Sequence, residues 1–248
     1  MKTLVKILCL SLSLSLVLGC IDGEEVELWG ECYNIEWTTH LFLPGVQLTG
    51  EIPSEIGQLI NLEHLHLFNN QLTGEIPSEI GQLINLENLQ LFNNQLTGEI
   101  PSEIGQLINL SSLVLYNNQL TGEIPPEIGN LINVNYLYLN DNQLTGEIPC
   151  EICNIGDTIP SLFNNQLCPP YPNCISQSNI DSFDTSECVG SSELQGDLNS
   201  DGIINIQDVI IVLNFIVNDN NNECSDINQD GLVDILDIIN LLDIILSD

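Results

Sequence analysis

After Lys6 this 248-residue chain has no lysine and no arginine, against 35 aspartates and glutamates. That absence excludes nucleic acid as a partner, because phosphate binding needs cationic side chains to displace counterions. It also leaves the acidic surface without salt-bridge partners, so dissolved cations must screen it. Such acidity suits a disordered chain, but the apolar residues recur with strict periodicity, which argues for a folded one. Long apolar runs are missing too, except at the start. There Ile7 to Leu18 follows the two lysines and is too short to span a bilayer comfortably. Residues 1–19 read as an export signal ending at Val17-Leu18-Gly19-Cys20.

What the chain does have is repetition. A 24-residue phrase recurs from Leu62 to Asn133, and its best copy is Leu86 to Asn109. A period in the twenties marks a solenoid, in which each repeat stacks on its neighbours and none folds alone. Leu65-x-Leu67 and Leu89-x-Leu91 alternate like short strands with alternate side chains turned inward. Asn70, Asn94, Asn118 and Asn142 form a column, expected to bond backbone groups of adjacent turns where the chain bends. Gly74, Gly98, Gly122 and Gly146, with the Ile-Pro pairs after them, punctuate the return path. The segment Ser78 to Leu83 reads as a helical or 3₁₀ turn. Glutamates stack in two columns, one from Glu51 to Glu147 and one from Glu55 to Glu151. With no cation to relieve them, salt is expected to stabilise the fold.

These positions resemble the leucine-rich repeat family, in the L-x-x-L-x-L-x-x-N-x-L-x-G-x-I-P form of plant receptor ectodomains that also occurs in bacterial surface proteins. The resemblance covers about Thr38 to Asn173. It implies a curved solenoid, with a parallel β-sheet lining a concave binding side. Asp22 to Trp37 lacks the pattern and is expected to cap the first coil. Leu43-Pro-Gly-Val-Gln and Thr158 to Leu167 depart from it and read as edge repeats.

On the concave strands one variable column reads Pro44, Phe68, Phe92, Tyr116, Asn140, Phe163. The next reads Phe42, His66, Gln90, Val114, Tyr138, Ser161. With His64 and Tyr136 these aromatics form a candidate ligand surface for protein or carbohydrate. The competing reading is that duplication copied the rings and stacking merely stabilises the sheet. His40, His64 and His66 fall on the first two strands, as a conceivable three-imidazole metal site or as ordinary surface variation.

Residues 175–194 are rich in serine and aspartate without periodicity and read as a linker. Beyond it, two 12-residue loops place oxygen side chains at alternate positions around a glycine. The first offers Asp197, Asn199, Asp201, Asn205 and Asp208, with the Ile203 carbonyl. The second offers Asp226, Asn228, Asp230, Asp234 and Asp237, with the Leu232 carbonyl. That pattern suits a hard, many-coordinate Ca²⁺, and the second loop, with four carboxylates to three, is expected to bind it tighter. Each loop is followed by an apolar helix with more hydrophobic surface than the pair can hide.

Paired half EF-hands that close with aspartate resemble dockerin domains, over about Gly196 to Leu246. The resemblance implies two calcium ions, a small all-α unit, and docking to a cohesin, often on polysaccharide-degrading assemblies. Its recognition positions match Ile206, Gln207, Leu213 and Asn214, then Ile235, Leu236, Leu242 and Asp243.

Val17 to Cys20 resembles the lipobox of bacterial lipoproteins, which implies a lipid anchor on Cys20. Plain cleavage at the same bond would free Cys20 to pair with Cys32. Cys150, Cys153, Cys168 and Cys174 suit disulfides in an exported chain, or loosely a zinc site, and Cys188 with Cys224 would staple the calcium unit.

The expected organisation is thus an export signal (1–19), an N-terminal cap (20–37), repeats with a C-terminal cap (38–174), a linker (175–194) and a dockerin-like calcium unit (195–248). The expected role is non-catalytic: a surface protein whose repeats bind a protein or carbohydrate and whose tail attaches to a partner. An accessory part of a polysaccharide-degrading complex and a structural coat protein are the alternatives.

Overall fold

The computed structural model describes residues 20–155, 160–169, 171, 172, 174–186, 188, 196, 198, 203–217, 225–228 and 232–247. The export signal, the loop positions Asp197, Asn199, Asp201 and Asp230, and Cys224 lie outside them. Among the described residues no helix is long and apolar enough to cross a membrane.

The hairpin of β1 (Glu25–Leu28) and β2 (Glu31–Asn34) is antiparallel. It covers the first coil with buried Val26 and Leu28, and the Trp29 indole N–H donates to the Glu51 carbonyl. The repeats then give a five-stranded parallel sheet from β3 (His40–Phe42), β5 (His64–His66), β7 (Asn88–Gln90), β8 (Ser112–Val114) and β9 (Tyr136–Tyr138). Leu41, Leu65, Leu89, Leu113 and Leu137 lie opposite one another in register, all buried. A 24-residue period brings each strand back beside its predecessor, so one leucine per strand fills the same slot of a continuous core. Shorter parallel pairs lie on the return path: β4 (Thr49–Gly50) with β6 (Gln71–Leu72), and β10 (Thr145–Glu147) with β11 (Gln166–Cys168).

The Ser-Glu-Ile-Gly-Gln segments are 3₁₀ turns, as at Ser78–Gln82 and Ser102–Gln106, each after an extended proline. They deliver Ile80 and Ile104 fully buried to the core. Their glycines form a column the sequence reading passed over. A Cβ on Gly105 would lie 2.5 Å from the Glu127 carbonyl oxygen, and one on Gly129 2.6 Å from that of Glu151. Successive turns approach too closely for any side chain there. One period further on stands Cys153, where no further turn of this kind stacks among the described residues, and its sulfur bonds to Cys174.

The buried asparagine column behaves as expected. Asn94 donates to the Leu67 and Leu91 carbonyls at 3.0 and 2.9 Å and accepts from the Leu72 N–H at 3.1 Å. Asn118 and Asn142 repeat the arrangement one and two coils on. These amides satisfy backbone groups that the bend takes out of the sheet ladder.

The expected linker is corrected in its first half. Ile175 and Phe183 are buried in the solenoid core around the short helix α1 (Gln177–Ile180). Asn179 on that helix accepts from the Leu162 N–H and donates to the Pro160 carbonyl, so it extends the asparagine column. Cys188 is bonded to Cys168, which ties the segment to β11. The cap therefore reaches at least residue 188, because the last coil exposes leucines that something must cover.

That bond also corrects the expected Cys188–Cys224 staple. The zinc layout is excluded likewise, since Cys150, Cys153, Cys168 and Cys174 are all disulfide-bonded. Cys20 pairs with Cys32, and a sulfur in a disulfide has no valence left for a thioether, so the lipid anchor at Cys20 is corrected as well.

At the C-terminal end α2 (Ile206–Val217) and α3 (Ile235–Ser247) pack on each other. Val209, Val212, Ile238 and Leu241 make their small buried core.

Candidate functional site

The exposed side of the five-stranded sheet carries the outward residues of three neighbouring columns. In the third, Phe68 stacks on Phe92 at 4.5 Å between ring centroids and Phe92 on Tyr116 at 4.6 Å, both nearly parallel. Parallel strands one repeat apart bring identical side chains to stacking distance, so the column follows from the period. Phe42 is 64% exposed at one end of the face. Tyr136 and Tyr138 are exposed at the other, their rings 6.2 Å apart, and Phe163 is exposed one coil beyond. Gln90 lies half-buried between them.

Val114 does not belong to the exposed surface. It is buried, 6% exposed, as is Ser112 on the same strand. In register it lies between the larger Gln90 and Tyr138, which flank it on either side. The face thus has a low central floor with aromatic ends.

His66 is half-buried, and its Nε2 has no hydrogen-bond partner. Burial and the neighbouring imidazoles of His64 and His40 hold its pKa below the ordinary histidine value, which favours the neutral ring. The three histidines do not converge as a triad. His40 and His64 approach to 4.4 Å between centroids, while the ring of His66 is 6.0 Å from that of His64.

Two features of the solenoid escaped the sequence reading. Asn61, Asn85, Asn109 and Asn133 form another ladder, in which Asn85 donates to the Ile60 carbonyl at 2.9 Å and Asn109 to that of Ile84 at 2.9 Å. With Glu36, Glu63 and Glu87 they line an open groove of about 800 Å³ just before the strands. Beside them Ile60, Ile84, Ile108 and Ile132 are all more than half exposed. The 24-residue spacing of these residues was the available signal. Their direction was not, because an Ile-Asn pair beside a core leucine reads as interior.

The helix pair repeats a second pattern, now at 29 residues. Asp208 and Asp237 occupy equivalent places and are fully buried. Asp208 accepts from the Leu198 and Asn205 N–H groups at 2.8 Å each. Asp237 accepts from those of Asn228 and Asp234 at 3.1 and 2.8 Å. Asn205 and Asp234 in turn accept from Gln207 and Leu236 N–H, so each closes a turn at a helix start. Asp226 is half-buried, and Ile203 and Leu232 hold matching exposed places.

Of the docking positions, Ile206, Gln207, Leu213, Asn214, Ile235, Leu236 and Asp243 are exposed. Leu242 differs: it packs against the buried core of the pair. Ile206 and Ile235, Ile210 and Ile239, and Val217 and Leu246 are equivalent pairs, all strongly exposed. Two short helices have one mutual interface, and their other apolar sides stay open.

Family models for leucine-rich repeats match residues 60–102, as two copies, and residues 109–131 and 133–155, as single repeats. The chain carries leucine-rich repeats within residues 60–155. The matched models are repeat families, and none is an enzyme family. No curated protein sequence matches the chain.

Among solved structures, the Arabidopsis receptor kinase HAESA, in complex with the peptide hormone IDA and the co-receptor SERK1, is 40% identical with a TM-score of 0.52. The match covers 55% of this chain and 23% of that chain. A TDR receptor is 37% identical with a TM-score of 0.50, over 55% of this chain and 24% of that one. The plant peptide hormone receptor RGFR1 is 43% identical with a TM-score of 0.48, over 49% of this chain and 20% of that one. The chain thus spans about a quarter or less of the length of these receptors. The ectodomain relatives and the disulfides together mark an exported protein.

Proposed function

We propose that this is a non-catalytic exported adaptor: its strand face takes an extended protein segment, and its C-terminal helix pair attaches it to another component. The observation that carries the first half is the Phe68–Phe92–Tyr116 stack, which runs across the strands and leads from exposed Phe42 to exposed Tyr138. Large rigid rings around a low floor give contact area at little entropic cost, the composition of an interface centre. The hormone-bound HAESA ectodomain supports a peptide over a carbohydrate.

For the second half, the buried Asp208 and Asp237 carboxylates need compensation. The chain has no Lys or Arg after Lys6 to provide it. Backbone N–H groups supply part of it, and a hard cation bound by oxygen supplies the rest. The residues fit calcium: Asp208 and Asn205 with the Ile203 carbonyl in one loop, and Asp226, Asn228, Asp234 and Asp237 with the Leu232 carbonyl in the other. Asp197, Asn199, Asp201 and Asp230 complete the sets in sequence. Calcium, when bound, supplies charge and fixes the loops. The exposed apolar pairs on α2 and α3 then form the dockerin-like attachment surface, and a cohesin partner would place the protein on a polysaccharide-degrading assembly.

The test is selection of a random peptide library on the immobilised full chain, followed by binding of the enriched peptides to the Phe92→Ala/Tyr138→Ala variant. Enrichment that this double change weakens at least about tenfold supports the reading. Peptides that bind the variant equally well, or enrichment from a glycan panel alone, would overturn it.

A further inference from the structure

At the first end of the strand face, one side-chain cluster has no part in the aromatic stack or the calcium loops. His40 on β3 lies directly opposite His64 on β5 in the parallel register, with ring centroids 4.4 Å apart. Glu63, the residue before β5, joins them. One ring nitrogen from each histidine and one Glu63 carboxylate oxygen all lie within 4.8 Å of one another. Nothing in the repeat requires this set, since the next three coils carry Asn88, Ser112 and Tyr136 in the histidine column.

Two imidazole rings and a carboxylate form a mixed nitrogen and oxygen donor set. Such a set suits borderline divalent metals such as zinc and copper, and differs from the all-oxygen sets that take calcium. Each ring also has a hydrogen-bonding neighbour at Nδ1. Thr39 Oγ1 lies 2.8 Å from His40 Nδ1, and the Asn88 amide lies 2.8 Å from His64 Nδ1. A ring ligated through Nε2 carries its proton on Nδ1, and the threonine hydroxyl accepts it at His40. At His64 the Asn88 amide, turned over, accepts it through Oδ1. Outer partners of this kind fix the ring and set its tautomer. The surroundings favour a cation, since Glu36 and Glu87 line the adjoining groove and no Lys or Arg is found among the described residues.

We propose that His40, Glu63 and His64 form a zinc-type divalent metal site that clips the first repeat strand to the second, with water completing the coordination. It shares no residue with the calcium loops or with the Phe68–Phe92–Tyr116 stack, and it lies at the first end of the strand face.

The test uses the full chain saturated with calcium. In a calorimetric zinc titration, wild type is expected to bind one equivalent that His40→Gln/His64→Gln lacks, with Glu63→Gln weaker by about tenfold or more. Asn88→Ala, which removes only an outer partner, is expected to weaken binding about tenfold. A double variant whose isotherm matches wild type overturns the site. The Cu²⁺ spectrum of wild type by electron paramagnetic resonance is the check that does not depend on how the variants fold. Hyperfine lines from two imidazole nitrogens support the site, and an oxygen-only spectrum overturns it.

Discussion

The solenoid and the helix pair are both built from internal repeats, and both lack cationic side chains, yet they end in opposite states. In the solenoid each coil covers the last, so that Leu65, Leu89, Leu113 and Leu137 are all fully buried and only the ends need capping. The helix pair has two copies and one interface. Among the described residues four form its buried core, while Ile206, Ile210, Val217 and their counterparts stay exposed. Stacking scales with repeat number and pairing does not. The first region therefore holds its shape by packing, and the second is expected to depend on a bound ion and on a partner.

The largest effect should come from calcium removal. Chelation of the full chain is expected to abolish the helical signal of α2 and α3 while leaving the solenoid's thermal transition within a few degrees. Circular dichroism with and without chelator reads both, and a tail that stays fully helical without metal would break the contrast. Next in size is Asn118→Ala, which removes acceptance from the Leu96 N–H and donation to the Leu91 and Leu115 carbonyls. Unsatisfied buried backbone groups put the cost at about 3 kcal/mol, measurable by denaturant unfolding. The tail should be unaffected.

Gly105→Ala is expected to cost about 2 kcal/mol, because its Cβ would press on the Glu127 carbonyl and force two turns apart. A neutral result in the same unfolding experiment would mean the two turns can move apart without cost. Smallest is the response to salt. Glu75, Glu99 and Glu123 stand one coil apart at exposed positions with no cation between them. Repeats at a strand spacing of roughly 4.8 Å keep like charges within a Debye length of each other. The solenoid's melting temperature should therefore rise by a few degrees from low to seawater-like salt, and a flat or falling curve contradicts this.

Much of the site was legible before any fold was known. The register of the aromatic columns, the pairing of His40 with His64 and the places of Asp208 and Asp237 all follow from counting periods. The exceptions share a cause. Val114 is apolar, small and correctly placed on the outward column, but Gln90 and Tyr138 on the flanking strands decide that it is buried. Residues 175–188 look like a linker because their composition is polar. Asn179, Ile175 and Phe183 are nonetheless the groups that close the last coil.

Taken alone, the sequence determined the period, and with it the stacked coils, the inward leucines, the asparagine amides and the two oxygen-rich loops. These features depend on spacing along the chain, and spacing is preserved when identical units stack. Only the tertiary structure decided the cysteine pairing, the glycine column under the 3₁₀ turns and the meeting of Glu63 with two imidazoles. Each of those depends on the distance between atoms from different coils, which the chain sets only once it has closed on itself.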